Sequence, residues 1–232
     1  MTSLGRKARV AGLLYVLASV VGGVRLIYIP SVLIVHRDAT ATANNIAAHE
    51  LLFRTGIVSY LVASTLFIFV VLALYRLLEG VDRPLAVVMV ILGCLVQAPI
   101  FFVNTANDIA ALLFARGADF LSAFDKPQHA ALAALFLDLH HQLDLANSIF
   151  WGLWLLPFGL LVYRSGFLPR ILGVWLMVAC FSYLALSLTG LLAPQYEDTV
   201  WKYASPVNLG EVAMMLWLLI VGAREKSMAA AA

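Results

Sequence analysis

Six long apolar runs, separated by more polar connections, dominate the pattern of hydrophobic and polar positions along the chain. A helix needs about 20 mostly apolar residues to cross a bilayer, and each run has roughly that length. Only helices or closed barrels cross membranes, and these runs are far too long for barrel strands. The pattern therefore predicts an all-α integral membrane protein, a bundle of about six transmembrane helices. The predicted spans are 9–29, 56–78, 84–106, 145–164, 170–192 and 207–223.

Two further segments have the composition of amphipathic helices that lie on the outer face of the membrane. In residues 40–54, Thr40 or Thr42 can cap a helix, and apolar side chains follow at helical spacing. Residues 127–144 begin with proline, are rich in alanine and leucine and contain no glycine, so this helix should run directly into the fourth span. Because no repeat or low-complexity linker is visible, residues 1–232 are predicted to form a single polytopic domain.

Composition agrees with a membrane protein and excludes other classes. Of the 232 residues, 63% are hydrophobic and 12% are charged, with a mean hydropathy of +0.95, whereas soluble domains contain about half apolar residues. The net charge is only +2, and no basic cluster alternates with aromatic residues, so we expect no nucleic-acid partner. Cys94 and Cys180 lie within apolar runs and should pack there rather than form a disulfide framework. The predicted partner is the lipid bilayer.

Lysine and arginine in the short connections predict the orientation, because such residues favour the cytoplasmic side. The connections 79–83 and 165–169 are very short and lie on one side of the predicted bundle. We therefore predict that this side and both termini are cytoplasmic. The first run follows basic residues, as a signal peptide would, but it is longer than a usual signal core and no clear cleavage site follows, so we predict that it is a retained helix. The basic residues near the two termini are Arg6, Lys7, Arg9, Arg224 and Lys226.

Titratable side chains concentrate on the opposite, outer side, where all five histidines and most acids are predicted. In the stretch DLHHQLD, neighbours on a helix are three or four residues apart, which pairs Asp138 with His141 and His140 with Asp144. The second pair leads a continuous stripe into the fourth span, and the first pair has the simpler alternative of a hydrated helix face. The stripe consists of His140, Asp144, Asn147, Trp151 and Trp154.

Polar positions within the other spans suggest where this stripe faces. The third span carries Gln97, Asn104 and Asp108 at helical spacing, the sixth carries Glu211, and Arg25 lies inside the first. Ionisable groups at membrane depth cost several kcal/mol unless they are paired or hydrated, so these side chains should face the bundle interior. The simplest arrangement is a polar cavity that opens outward and is floored by aromatic side chains.

Such a cavity predicts acid/base chemistry on a small lipophilic molecule, as in a cyclase, isomerase or hydrolase. A carboxylate desolvated among aromatic rings can act as a general acid, and tryptophans can contact an apolar or cationic substrate. The predicted catalytic residues are Asp144, His140, Glu211 and Asp108. The predicted substrate-binding residues are Asn104, Asn147, Trp151, Trp154, Gln97 and Arg25.

Several of these features have structural alternatives. Arg25 can form a structural ion pair with an acid, for which Glu211 is one candidate, and Trp151 and Trp154 can serve packing or an interfacial belt. Glu50 and Arg54 are expected to form an ordinary exposed pair. The whole chain can also be a non-catalytic membrane module: a partner subunit, a pH sensor or a transporter-like bundle.

Metal and cofactor motifs are sparse. Histidine and carboxylate are good ligands for zinc or iron, but di-iron bundles repeat their Glu-x-x-His pair on two helices. Here one comparable pair, Asp138 with His141, occurs. HEXXH, GxSxG, Walker and Rossmann patterns are absent from the sequence. We therefore predict neither a metal nor a cofactor.

Three stretches are more distinctive than composition explains: NNIAAHELLFRTGI (44–57), YRLLEGVDRPLAVVMV (75–90) and YRSGFLPRILGVWL (163–176). Together with their order along the chain, they resemble a family of bacterial and archaeal membrane proteins catalogued as domain of unknown function 4386. The resemblance covers about residues 8 to 222 and implies a helical membrane architecture in a prokaryotic cell membrane. It implies no established activity. In that family a glycine often follows the Leu-His element, here Leu139–His140, and Asp144 stands in that region as a local specialisation.

Overall fold

Helices account for nearly all of the chain in this computed structural model, which describes residues 3–223. Within that range no strand occurs, and ten α-helices follow one another with short turns between them. Their bounds are α1 Ser3–Gly23, α2 Ile29–Leu33, α3 Ala39–Ala48, α4 Glu50–Leu78, α5 Arg83–Val90, α6 Gln97–Ala115, α7 Lys126–Leu153, α8 Leu155–Ser165, α9 Arg170–Leu192 and α10 Glu197–Ile220.

Six helical stretches of the described chain are long and apolar enough to cross a membrane, some of them made of two consecutive helices. The predicted fold class, an all-α multi-pass membrane protein with six spans, is therefore confirmed. Arg224 and Lys226, which entered the predicted orientation, lie outside the described residues. The stretches are Ser3–Leu33, Glu50–Leu78, Arg83–Ala115, Lys126–Ser165, Arg170–Leu192 and Pro194–Ile220.

The two predicted outer helices differ from the helices observed. The predicted helix 40–54 is divided at His49, where α3 ends, and its second part belongs to α4. Asp38, not a threonine, caps α3, because its carboxylate accepts a hydrogen bond from the backbone N–H of Ala41 at 2.8 Å. The segment 127–144 does continue into the fourth apolar run, within a stretch of 40 residues. That stretch is about 60 Å long, so part of it extends beyond a hydrocarbon core of about 30 Å.

Two wide π-helical turns interrupt the first and third spans, each just before a proline. The turn Val24–Tyr28 precedes Pro30, and the turn Ile91–Leu95 precedes Pro99. Proline has no N–H, and its ring clashes with the carbonyl four residues earlier, so it disfavours a regular α-helical turn at that point. A wide turn moves that carbonyl away and bonds each N–H to the fifth carbonyl before it. The two wide turns thus relieve the clash at Pro30 and Pro99, and they change which side chains face the helix neighbours.

Contacts along the chain divide it into two compact units, and the prediction of a single domain stays a prediction. The first unit holds the described residues up to Leu17, Leu66–Gln97 and those from Leu145 onward. Within it, α8 and α9 approach closely at Gly159 and Gly173. A Cβ built on Gly159 would lie 2.6 Å from the carbonyl oxygen of Gly173, so only glycine permits this approach.

The second unit holds Ala18–Thr65 and Ala98–Asp144. Its apolar core is formed by fully or nearly fully buried side chains from α2, α3, α4 and α6. Gly56 allows α4 to approach α2, because a Cβ at that position would lie 2.7 Å from Cγ1 of Ile29. This core supports the polar side chains described below. Its members are Ile29, Leu33, Ile46, Phe53, Ile57 and Leu112.

Candidate functional site

A buried ion pair lies within the second unit and joins the first span to α6. The Arg25 guanidinium donates from Nε to Oδ2 of Asp108 at 2.7 Å and from Nη2 to Oδ1 at 2.5 Å. The two side chains are 4% and 0% exposed. A bidentate pair of this kind is strong and directional. It compensates two charges that would otherwise be costly at membrane depth.

Local structure explains why Arg25 reaches this position. It lies in the wide turn Val24–Tyr28, so its side chain leaves the helix in a direction that regular α-helical spacing does not give. Its Cζ lies 6.0 Å from the ring centroid of Phe53. Arg25 is thus held by the turn, by a ring and by its acidic partner.

His140 lies between two carboxylates. Its Nδ1 is 3.1 Å from Oδ1 of Asp108, and its Nε2 is 3.3 Å from Oδ2 of Asp144. The imidazole is 4% exposed. Neither nitrogen has the alignment of a regular hydrogen bond, so the ring is within ion-pairing distance of both acids without being fixed to either. A small rotation of the ring can therefore strengthen one contact at the expense of the other.

Asp144 is the member of this group that is most accessible, with a side chain 16% exposed. Its Oδ1 accepts hydrogen bonds from the hydroxyl of Tyr60 at 2.8 Å and from Nδ2 of Asn104 at 2.9 Å. Asn104 also donates to the backbone carbonyl of His140 at 3.1 Å. One oxygen of Asp144 is therefore fixed by two donors, while the other faces the imidazole. We call Arg25, Tyr60, Asn104, Asp108, His140 and Asp144 the ionic cluster.

The charges of the ionic cluster do not balance without a proton. Arg25 carries one positive charge, and Asp108 and Asp144 carry two negative charges when both are ionised. A proton on His140, or one shared with Asp144, makes the cluster neutral. Because uncompensated charge is costly in a membrane, the occupancy of that proton controls the electrostatic energy of the cluster. The arrangement is chemically suited to hold a proton.

The first unit has its own polar side chains. The carboxylate of Glu211 accepts hydrogen bonds from the hydroxyls of Tyr15 and, at 2.8 Å, of Tyr183. Nε2 of Gln97 donates to the backbone carbonyl of Leu92 at 2.8 Å, next to the second wide turn. Asn147 is 1% exposed, and neither atom of its amide has a hydrogen-bond partner among residues 3–223.

Residues 10–222 match the model of a protein family described as a domain of unknown function, DUF4386. The chain belongs to the DUF4386 family. Neither a protein with curated function nor a solved structure matches it significantly. Membership in DUF4386 therefore supports the membrane architecture, and any function has to be argued from the side chains themselves.

Five of the predicted site residues of this DUF4386 protein meet in the ionic cluster, and five others lie in the first unit. Arg25 pairs with Asp108, so the suggested partner Glu211 is wrong. The catalytic and binding roles stay predictions. The members found together are Arg25, Asn104, Asp108, His140 and Asp144. The first unit holds Gln97, Asn147, Trp151, Trp154 and Glu211.

Sequence reasoning missed the tyrosines. Tyr60, Tyr15 and Tyr183 each lie inside an apolar run, where a tyrosine resembles any other aromatic residue. A weak signal for Tyr60 exists, because Gly56, Ser59 and Tyr60 interrupt an otherwise aliphatic helix face at helical spacing. Buried tyrosine hydroxyls normally find a partner, so an intramembrane tyrosine is itself evidence of a nearby acceptor.

Outside the cluster, the exposed pair expected near the start of α4 is confirmed. Arg54 donates from Nε to Oε1 of Glu50 at 2.7 Å, and both side chains are well exposed. Arg116 also approaches Glu50 at 3.5 Å. Among the described residues, no group of three His, Cys, Asp or Glu side chains is arranged to hold a metal ion.

Proposed function

We propose that this DUF4386 protein binds a small lipophilic molecule at the ionic cluster and exchanges a proton with it through Asp144 and His140. The observation that carries the proposal is the buried imidazole of His140, placed 3.1 Å and 3.3 Å from two carboxylates. Chains of Asp, Glu and His inside membranes are typical of proton transfer and substrate pathways. A lipophilic molecule reaches such a position through the bilayer.

Each member of the cluster has a distinct task in this proposal. Arg25 neutralises Asp108 and fixes it by two hydrogen bonds. Asp108 then faces Nδ1 of His140, while Nε2 of the same ring faces Asp144. A carboxylate that faces one nitrogen of an imidazole favours the tautomer with the proton on that nitrogen, so the other nitrogen can accept a proton. His140 and Asp144 would thus act as a coupled acid/base pair.

Asp144 would be the residue in contact with the bound molecule, because its side chain is the more exposed of the two carboxylates. Tyr60 and Asn104 hold its Oδ1, so its position is defined before a substrate arrives. Preorganised donors of this kind lower the cost of charge movement during proton transfer.

The location that we propose is a prokaryotic cell membrane, with both termini in the cytoplasm and the ionic cluster open toward the outside. The distribution of lysine and arginine supports this orientation. Reporter fusions test it: a periplasm-dependent phosphatase should be active after Ala118 and inactive after Gly80. The reverse pattern contradicts the orientation.

Mass spectrometry of material that copurifies with the protein tests ligand binding. We expect the wild type and Glu50→Gln, which alters an exposed acid of the same unit, to carry the same lipophilic molecule. Asp144→Asn and His140→Gln should carry much less of it. Incubation in heavy water should then place deuterium on a carbon of that molecule in the wild type and not in Asp144→Asn.

The two measurements separate binding from catalysis. A retained ligand without deuterium incorporation excludes the acid/base chemistry and leaves a binding protein. Equal ligand content in the wild type, Asp144→Asn and His140→Gln, or no ligand in any of them, contradicts the proposed site.

A pH-sensing membrane module is the second candidate, and the charge of the cluster favours it specifically. Loss of the proton on His140 leaves one net negative charge among Arg25, Asp108 and Asp144, which should loosen the contacts between α6 and α7. The intrinsic fluorescence of the tryptophans, titrated between about pH 5 and pH 8, tests this function. A flat titration argues against sensing, as does a response that persists unchanged in His140→Gln.

A further inference from the structure

Glu211 is a carboxylate within a membrane span that has no basic partner among residues 3–223. Its two oxygens accept hydrogen bonds from the hydroxyls of Tyr15 and Tyr183, and no Lys, Arg or His side chain of the described chain pairs with it. Tyrosine hydroxyls are neutral donors, so they stabilise the negative charge without cancelling it. Each carboxylate oxygen also has capacity for a further donor. Asp108, by contrast, has a basic partner, because Arg25 pairs with it.

Aromatic rings surround this carboxylate on two sides. The ring of Tyr183 meets Trp151 edge to face at 6.2 Å, and the ring of Tyr15 lies 6.2 Å from Trp154. Tyr15 and Trp154 are buried, whereas Glu211, Tyr183 and Trp151 are half-buried. Aromatic faces attract cations, and tryptophan does so most strongly. Glu211, Tyr183 and Trp151 are thus the members of this group that are not fully enclosed by the protein.

A second observation also points to a ligand. The amide of Asn147 is 1% exposed and has no hydrogen-bond partner among the described residues, although an unsatisfied buried amide costs about 1–3 kcal/mol. Asn147 lies one helical turn before Trp151 on α7, on the same face of that helix. A bound molecule that contacts Trp151 can therefore supply the missing partner to this amide.

We propose that the first unit binds a lipophilic organic cation, an amine or a quaternary ammonium group, against Glu211, Tyr183 and Trp151. The carboxylate supplies the charge that such a group requires, and the rings supply faces that attract it. A bound cation would compensate the charge of Glu211 in its ionised form, as Arg25 does for Asp108 in the second unit. This inference is independent of the proton exchange proposed at Asp144.

Benzyltrimethylammonium is a suitable probe, and neopentylbenzene is its neutral carbon analogue of nearly the same shape. The full-length protein is titrated in nanodiscs, and its tryptophan fluorescence is followed, since Trp151 lies in the proposed contact. We expect a saturable change with the cation and none with the neutral analogue. In Glu211→Gln the cation should bind about tenfold more weakly or worse, because a cation–carboxylate contact at low dielectric is lost.

The controls keep the outcome unambiguous. Glu50→Gln removes an exposed acid and should titrate like the wild type. Asp144→Asn should also titrate like the wild type, because Asp144 belongs to the second unit. The cation-binding proposal can therefore hold even if the proton-exchange proposal fails. Trp151→Leu keeps the carboxylate and removes one aromatic face, and it should bind several-fold more weakly even if Glu211→Gln does not fold.

Three results overturn the inference. One is the absence of a saturable response to the cation in the wild type. The second is an equal response to the neutral analogue. The third is unchanged affinity in a folded Glu211→Gln, or in Trp151→Leu when the first variant cannot be purified.

Discussion

The replacement of Arg25 by methionine tests how much the buried ion pair stabilises the second unit. The change keeps most of the apolar stem and removes the guanidinium, which donates twice to Asp108. The carboxylate of Asp108 is fully buried and then faces only the imidazole of His140. Removal of one partner of a buried pair costs about 3–5 kcal/mol, because the remaining charge is left uncompensated.

For a chain of this size, that loss corresponds to a fall in Tm of about 6–20 °C. Thermal unfolding of the detergent-purified protein, followed by the loss of its monodisperse peak after heating, measures the fall. Arg54→Met is the matched control, because it removes an arginine from an exposed pair of the same unit. The exposed pair is screened by solvent, so this variant should keep the Tm of the wild type within the scatter of the assay.

The double variant Arg25→Met with Asp108→Leu distinguishes a coupled ion pair from two separate packing effects. If the pair is coupled, removal of both charges should make the double variant more stable than Arg25→Met alone, since replacement of a buried pair by apolar side chains is often nearly neutral. A Tm of Arg25→Met that equals that of Arg54→Met refutes the reasoning. A double variant whose loss is the sum of the two single losses also refutes it.

Three further changes test helix packing and a hydrogen bond in the first unit and one hydrogen bond of the ionic cluster. Gly159→Ala should destabilise the protein by about 1–3 kcal/mol, because the added Cβ would lie 2.6 Å from a backbone carbonyl oxygen. Gly23→Ala is the control: a Cβ there would have nothing within 4 Å, so this variant should be neutral or stabilising in the same melting assay. Gln97→Leu removes the donor to the carbonyl of Leu92 and should cost about 1–3 kcal/mol; an unchanged Tm contradicts this role. Tyr60→Phe removes a hydroxyl donor from a carboxylate and should cost about 1.5–3 kcal/mol, and a loss no larger than that of a surface variant argues against it.

The architecture could be predicted from the sequence because one strong physical constraint determines it. A bilayer requires every backbone polar group to be bonded within the segment, so each long apolar run has to be a helix. The ends of the helices were harder to predict. His49 separates α3 from α4 although no proline or glycine stands there, and the cap of α3 is Asp38 rather than a threonine. Helix ends are the least certain part of a prediction from spacing, because several neighbouring residues can cap a helix and its last turn frays.

Part of the ionic cluster was also predictable, because it depends on the spacing of residues within one helix. The pair His140 and Asp144 follows from helical spacing alone, and their nitrogen and oxygen lie 3.3 Å apart. The partner of Arg25 was not predictable, because spacing within one helix carries no information about which other helix lies beside it. The wide turn that contains Arg25 adds a second uncertainty, since it changes the direction of the side chain relative to regular spacing.

The wide turns before Pro30 and Pro99 also bear on how the family can vary in length. A π-helical turn accommodates one residue more than an α-helical turn over the same axial rise, so each turn stores a single-residue insertion without a loop. Loss of Pro30 together with deletion of one residue from Val24–Tyr28 would close the first span into a regular helix. All later helix faces would keep their register, but Arg25 would lose the geometry that directs it to Asp108. A deletion of one residue within an apolar span of a related chain would therefore change the geometry of the site, and should not be dismissed as an alignment error.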